Sequence, residues 1–277
     1  MTALDIIIVS YNTRADLAAC LQSLRSAPPA RPHTVTVVDN GSTDGSVDAV
    51  RNGFKDAHVI EMGRNAGFAA ANNAGIRVTS SPLILLLNSD TLVPSGALDT
   101  LCARLESAGA AAAGPRLIDA DGRPEVSWGP MLTPWSEWIQ SRRVSAAASP
   151  LPQARRRVDG LTSAERRVDW VSGACLLVRR DAALAAGLLD ERYFMYEEDV
   201  DFCAALRKQG GTILFAPAST VIHLRGRSIA KTPGPRTSHY DASHLAFYAK
   251  HHPGWLPFLR MWKKLRGRLQ GKLGAGN

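Results

Sequence analysis

The segment YFMYEEDVDFCAAL, from Tyr193 to Leu206, crowds Glu197, Glu198, Asp199 and Asp201 into five positions. Phe202, Cys203 and Leu206 follow at helical spacing, so the acids open a helix. One or two acids at such a place gain from the helix dipole. Four repel one another, and the crowding raises the pKa of at least one of them. A carboxylate raised in this way suits a general base for a hydroxyl group, and a nearby cation would offset the repulsion. A solvated helix start is the plainer reading of the same residues.

Other candidates stand at the ends of apolar runs. LILLLN delivers Asn88, Ser89 and Asp90, and an acid at a strand end suits Mg²⁺ or Mn²⁺ bound to a diphosphate. The plainer alternative is a turn whose Asp caps the next helix. His223 ends TVIH and is followed by Arg225 and Arg227. A neutral imidazole could hold a metal and the guanidinium groups a diphosphate, although a histidine in an apolar strand is more often a packed core residue. Asp39, after TVTVV, could accept from a nucleobase imide or a ribose hydroxyl, or could build an Asx turn with Asn40 and Gly41. Arg64 and Asn65 precede a run of small residues, FAAANNAGI, at a helix start that would favour a phosphate. Tight helix–sheet packing explains the alanines equally well.

These residues need elements to bring them together. DIIIVS (5–10), TVTVVD (34–39), 57–61 and 83–88 read as strands, and 15–26, 67–78 and 98–108 as helices. The near-continuous apolar strands are typical of a sheet buried on both faces. Strand–helix alternation argues for an α/β class: a single Rossmann-like domain with a mostly parallel central sheet flanked by helices. In such sheets ligands lie beyond the carboxyl ends of the strands. The residues found there, Ser10-Tyr11-Asn12, Asp39-Asn40-Gly41-Ser42, Gly63-Arg64-Asn65 and Asn88-Ser89-Asp90, are all polar and small, or acidic. The second half is less regular. Residues 130–168 hold Trp135, Trp138, four prolines and the run Arg155-Arg156-Arg157, and read as an irregular, partly mobile excursion on the acceptor side. A strand at 170–179 follows, then the acid helix and strands at 212–216 and 219–224. Residues 1–235 form the main domain in this reading, and 236–277 a helical basic extension.

Bulk properties narrow the class further. The chain has 277 residues, 45% of them apolar, enough to bury a sizeable core. Cys20, Cys102, Cys175 and Cys203 lie in apolar runs without a CxxC pair, which favours reduced thiols in a cytosolic protein. Asp5 interrupts the N-terminal apolar run, which argues against a signal peptide, and no run reaches the ~20 residues of a membrane span. The net charge of +8 concentrates in LRMWKKLRGRLQGK (259–272), which lacks any acid. With Trp255, Phe258 and Trp262 nearby, and Leu259, Trp262, Leu265 and Leu269 repeating every three or four residues, residues 255–273 fit an anionic membrane surface. A solvated helix packed on the domain is the alternative. The basic residues lack an aromatic stacking pattern, which argues against nucleic acid. Oligomeric state leaves no signal.

Taken in order, IIIVSYN (6–12), VVDNGSTDGS (37–46), RNAGFAAANNAGI (64–76), LLLNSDT (85–91), WVSGACLLVRR (170–180), YFMYEEDVDFCAAL (193–206) and VIHLRGRS (221–228) resemble the inverting glycosyltransferases of family 2, with their A-type nucleotide-sugar fold. Within the family the pattern is most similar to bacterial rhamnosyltransferases acting on cell-surface polysaccharide or lipid-linked precursors. The resemblance implies transfer of a sugar, such as L-rhamnose from dTDP-rhamnose, from a nucleoside-diphosphate donor to a glycan or polyprenyl-linked acceptor, at the inner face of the cell membrane. Asp39 and the Ser10–Tyr11–Asn12 turn would hold the nucleobase. Asp90 is the surviving acid of the family's Asp-x-Asp metal motif, whose first position here is Asn88, so Asp90 and His223 would carry Mg²⁺ or Mn²⁺. Ser89, Arg64, Asn65, Arg225 and Arg227 would complete the donor site. Asp199 matches the catalytic base, and Trp170, Gly173, Ala174 and Glu198 would border the acceptor. A hexosyl transferase using a UDP- or GDP-sugar and a non-catalytic nucleotide-sugar-binding protein are the rival readings. A nucleotidyltransferase would want a Gly-rich loop after the first strand, and SYNTRADL is a poor one.

Overall fold

Four strands build one half of the sheet: β1 (Leu4–Ser10), β2 (His33–Asp39), β3 (Ala57–Glu61) and β4 (Leu83–Asn88), with β1 and β4 largely buried and β3 a partly exposed edge. They belong to a computed structural model that describes residues 1–149, 151–224 and 236–274. Between them lie α1 (Arg14–Ser26), α2 (Ser46–Gly53) and α3 (Phe68–Val78). Next come β5 (Thr91–Leu92), α4 (Ala97–Ala108), β6 (Ala112–Ile118) and β7 (Trp128–Gly129). Then follow α5 (Pro134–Ala147), α6 (Pro152–Thr162), β8 (Arg166–Val168), β9 (Trp170–Val171), β10 (Cys175–Arg179) and α7 (Arg180–Ala185). The described residues end with α8 (Glu198–Lys208), β11 (Ile213–His223), α9 (Arg236–His251) and α10 (Leu256–Gly274).

The central sheet runs β3-β2-β1-β4-β10-β6-β11-β5, with β8 on the far side of β11. β1, β2, β3 and β4 pair in parallel. β10 is antiparallel to both β4 and β6, and β11 is parallel to β6. β6 and β11 therefore run the same way as β4, so His223 at the end of β11 and Asn88 at the end of β4 reach one rim. The sheet is mixed but mostly parallel, as the alternation implied. Ile6, Ile7, Ile8, Leu85, Leu86 and Leu87 are all 1% exposed or less, so both faces are covered. Deleting one such side chain to alanine costs about 2–5 kcal/mol.

The small residues of α3 serve packing. A Cβ on Gly75 would lie 2.6 Å from Ile7 Cγ2, so the helix sits closer to the sheet than any larger residue permits. At the opposite end of the sheet from the rim, buried Asp5 accepts from Thr34, Ser81 and Arg180. Burial opposes its charge, but these partners outweigh it and hold the carboxyl below its usual range. The four cysteines are free and buried, and burial pushes the thiols of Cys20, Cys102 and Cys203 up to about 12.

Three segments differ from the sequence reading. Residues 130–168 are not an irregular excursion, because they hold α5 and α6. Thr133 caps α5 reciprocally with Ser136, and Pro134 and Pro152 occupy first-turn positions where a missing N–H does no harm. The run 170–179 is two strands, broken at Ser172–Ala174. Within 212–224, Ile213–His223 form one long strand with an irregularity between Ala216 and Thr220, rather than two strands.

Candidate active site

The donor-side residues gather at the carboxyl ends of β1, β2 and β4. Asp39 ends β2 and is 3% exposed. Its Oδ2 accepts from the N–H groups of Gly41 (3.1 Å) and Ser42 (2.9 Å), while its Oδ1 is buried without a hydrogen bond. The two readings of this aspartate thus fall on different oxygens: one builds the turn, and the other is an unmatched acceptor on the rim. Asn12, at φ 53°, braces the same turn, accepting from Thr43 N–H at 2.8 Å and donating its own N–H to Ser42 Oγ at 2.9 Å. Ser10 and Ser89 meet through Thr13, with both Oγ–Oγ1 distances 2.9 Å. Their hydroxyls tie the end of β1 to the end of β4 rather than lining an open cleft. Tyr11 is partly buried beside them.

Arg64 and Asn65 do not stand at the open end of α3, which begins at Phe68. Asn65 Oδ1 accepts from Asn40 Nδ2 (2.9 Å) and Gly67 N–H (3.1 Å), so its amide builds the approach to the helix. The first helical N–H, that of Phe68, donates to Phe194 O at 2.8 Å. Arg64 is exposed, with its backbone against the Gly41 turn. Arg225 and Arg227 lie outside the described residues.

Asp90 and His223 are neighbours because β5 pairs with the end of β11, setting His223 opposite Thr91. Leu224 N–H donates to Asp90 O at 2.8 Å and locks the register. His223 Nε2 lies 3.4 Å from Asp90 Oδ1, an ion-pair range at which that buried oxygen makes no hydrogen bond. On the other side of the ring, His223 Nδ1 lies 3.2 Å from Glu125 Oε2. Burial opposes a charge on the imidazole, but the flanking carboxylates of Asp90 and Glu125 outweigh it and carry its pKa up to about 9. Glu125, 5% exposed, was not singled out from the sequence. It follows a turn held by Asp119, between β6 and β7, and nothing in its neighbours PEVS marks it.

This donor set fits a divalent ion that keeps most of its coordination for a diphosphate. Asp90 supplies a buried oxygen without a hydrogen bond, and Glu125 stands where a carboxylate orients a metal-ligating histidine. Among the described residues no group of three or more His, Cys, Asp or Glu is arranged to hold an ion alone.

The acid stretch is split by its surroundings. Asp201, 2% exposed, accepts from Lys250 Nζ (2.8 Å) and His251 Nε2 (2.6 Å) and serves to join α8 to α9. Glu197 precedes the helix at φ 66°; burial first, and then Asp199 and Glu137, push its carboxyl up to about 8. Glu198 is 7% exposed, and its Oε2 makes no hydrogen bond. Burial and the neighbouring Asp199 raise it well above the carboxylate range. Asp199 is partly buried. Burial raises its pKa, opposed by N–H donors from Gly173 (to Oδ2) and Val200 (to Oδ1), each at 2.8 Å.

The bond from Gly173 explains the broken strand: the chain leaves sheet geometry at Ser172–Ala174 to aim an N–H at Asp199. One residue on, Ala174 O accepts from Asn88 N–H at 2.9 Å. Asp199, Gly173, Ala174 and Asn88 thus form a bonded path to the Asp90–His223 pair. Trp170 donates its indole N–H to Pro130 O at 2.8 Å, and its ring lies against Gly129, so it packs the flank of this path.

α9 closes the flank from the other side. Ser243 donates to Met195 O at 2.7 Å, and Tyr248 OH and His244 Nε2 both reach Glu137 Oε1 of α5, at 2.7 and 2.9 Å. Phe247 and Tyr248 are buried with Tyr193, Val200 and Leu132.

This geometry can be set beside known proteins. The rhamnosyltransferase "N-acetylglucosaminyl-diphospho-decaprenol L-rhamnosyltransferase" of Mycobacterium tuberculosis is 31% identical over 98% of this chain and 90% of its own. Two solved structures share the fold at low identity. GalNAc-T7 with UDP, GalNAc and Mn²⁺ has a TM-score of 0.60 at 16% identity, over 88% of this chain and 48% of that one. The mannosyltransferase PcManGT of Pyrobaculum calidifontis, with GDP-Man and Mn²⁺, has a TM-score of 0.59 at 17% identity, over 93% of this chain and 68% of that one. The model of Glycosyl transferase family 2 matches residues 5–169, more than half of the sequence. The chain belongs to glycosyl transferase family 2.

Proposed function

We propose that the protein transfers L-rhamnose from dTDP-rhamnose, with inversion, to a hydroxyl of a polyprenyl-linked or glycan acceptor in cell-surface polysaccharide synthesis. The carrying observation is the bonded path from Asp199 through Gly173, Ala174 and Asn88 to Asp90 and His223. It supports a reading in which Asp199 is the base for the acceptor and Asp90 and His223 face the departing diphosphate. The rhamnosyl choice draws on the Mycobacterium relative.

Asp39 Oδ1 accepts from the nucleobase or ribose. A divalent ion held by Asp90 and His223 would neutralise charge on the diphosphate as it leaves. Asp199 takes the proton of the acceptor hydroxyl while that oxygen attacks the anomeric carbon from the face opposite the leaving group. The N–H groups of Gly173 and Val200 fix its two oxygens, and the raised pKa strengthens it as a base. Glu198, beside it, supports the acceptor's hydroxyls.

The test pairs a donor panel (dTDP-, UDP- and GDP-sugars, with and without Mn²⁺) with the variant Asp199→Asn. dTDP-rhamnose is expected to raise Tm most. Asp199→Asn is expected to keep fold and donor binding and to lose turnover by about 10²-fold or more. Wild-type turnover in that variant would remove Asp199 from the mechanism. Stabilisation by a UDP- or GDP-hexose alone would replace the donor.

A further inference from the structure

We propose that the outer face of α10, with the Trp135–Trp138 pair of α5, is a docking surface for an anionic lipid bilayer. This deepens the proposed function, on which it rests, by naming where a polyprenyl-linked acceptor meets the protein.

α10 is apolar on two faces, and only one is used internally. Leu256 and Leu259 pack inward against the cluster of Leu132, Tyr193, Val200, Phe247 and Tyr248, and Lys263 pairs with Asp241 of α9. The sequence period that grouped Leu259 with Trp262 and Leu265 is therefore divided by the fold, because Leu259 faces in. The opposite face presents Phe258 (60% exposed), Met261 (58%), Trp262 (52%) and Leu265 (52%), with Trp255 (53%) just before the helix. These fall at i, i+3, i+4 and i+7, a continuous stripe. Single exposed apolar residues are ordinary, but a stripe of this size marks an interaction site.

The occupant follows from the flanking chemistry. Arg260 and Lys264 are exposed beside the stripe, and α10 carries no acid anywhere in its sequence. Basic residues with Trp and Phe on an amphipathic helix suit the headgroup region of an anionic bilayer. The stripe runs along the length of the helix, so a bilayer that covers it lies parallel to the helix axis. α5 extends the patch. His252 Nε2 bonds Leu132 O at 2.7 Å, which fixes the start of α5 against the start of α10. Three residues beyond Leu132, Trp135 is 69% exposed and stacks on Trp138, with Arg142 over the Trp138 ring. The inner face of α10 looks toward the acid helix, since Leu256 and Leu259 pack against the cluster that holds Tyr193 and Val200. A bilayer on the outer face would lie about one helix diameter, ~10 Å, from that stretch. An acceptor headgroup anchored by its lipid would then reach Asp199 without leaving the membrane.

The experiment is vesicle co-sedimentation of the full chain with phosphatidylcholine liposomes containing or lacking phosphatidylglycerol, at low and high salt. Turnover is assayed in parallel on a short-chain soluble acceptor and on a vesicle-borne polyprenyl acceptor. Binding is expected to require the anionic lipid and to fall with salt. Phe258→Ser/Met261→Ser/Leu265→Ser is expected to weaken it at least 10-fold, and Trp135→Ser/Trp138→Ser by a smaller factor. Both variants should keep wild-type turnover on the soluble acceptor and lose it on the vesicle-borne one. Unchanged partition of the triple variant, or a dimer in solution that the triple variant dissolves, would overturn the surface. Vesicle binding with no transfer to either acceptor would leave the surface standing and refute the proposed function.

Discussion

Glu125 shows how much a single side chain outside the recognised motifs contributes. It lies in neither a strand nor the acid helix, yet it holds the imidazole nitrogen of His223 that faces away from Asp90. An imidazole with one nitrogen fixed by a carboxylate presents the other in a set orientation. Glu125→Gln keeps the shape but weakens that grip. It is expected to weaken Mn²⁺ binding in the presence of nucleoside diphosphate by about 10–100-fold, measured by electron paramagnetic resonance of free Mn²⁺. The distant Asp39 turn, and with it metal-free nucleotide binding, should be unaffected. Unchanged Mn²⁺ affinity would reduce Glu125 to a packing residue. Asp39, Asp90 and His223 were legible in the sequence because each ends an apolar strand, and parallel strands deliver their ends to one rim. Glu125 was not, because its place depends on how the 119–127 turn folds back on β6 through its N–H bond to Leu117 O. No local pattern encodes that return.

At the scale of elements, the acid helix is positioned by what meets its approach loop. Gly67 stands at φ 90° and ψ 170°, open in practice only to glycine, and a Cβ there would lie 2.5 Å from Phe194 O. That close pass lets Phe68 N–H bond the same carbonyl, pinning α3 to the loop that leads into α8. Gly67→Ala must push this loop away. Beyond about 1–3 kcal/mol of backbone strain, it is expected to shift Asp199 and lower turnover more than donor affinity. Calorimetry and steady-state kinetics would show both, and a Tm within about 1 °C of wild type would contradict the clash. From the sequence, the helix and the small residues of α3 could be read, but Gly67's partner, 127 positions away, could not. α9 is a second case. From the sequence, residues 236–277 read only as a helical basic extension. In the fold, Ser243, His244 and Tyr248 are buried and bind Met195 and Glu137, while Lys250 and His251 reach Asp201 from the edge of the helix, so α9 is tied to the domain by its polar side chains.

For the molecule as a whole, the buried acids set stability and activity against each other. Glu197 has a folded pKa of about 8 against an ordinary 4.5. Below pH 4.5 it is protonated in both states, and its burial costs no charge. Between pH 4.5 and 8 the unfolded chain releases that proton while the folded chain retains it. Folding then loses up to about 1.4 kcal/mol per pH unit from this residue. Glu198 and Asp199 move in the same direction, whereas the lowered acids Asp5, Asp190 and Glu191 lose their contribution only as pH falls below the ordinary carboxylate range. Thermal stability is therefore expected to fall from pH 5 to pH 8, by about 5–10 °C in Tm for a loss of a few kcal/mol. Catalysis runs the other way, because Asp199 accepts a proton only when ionised, so kcat/KM should climb with pH through its raised pKa. Glu197→Gln separates the two. It removes one titration from the buried group, and takes no charge from beside Asp199, because Glu197 still holds its proton where Asp199 ionises. Its Tm should vary less with pH than wild type, while its kcat/KM profile should keep the wild-type pH dependence. His223, which also holds a proton more tightly when folded, is common to both proteins and cancels in their difference. Parallel Tm–pH curves for the two proteins would show that the Glu197 carboxyl is solvated in the folded state, against the burial that the packing of α9 and α10 gives it.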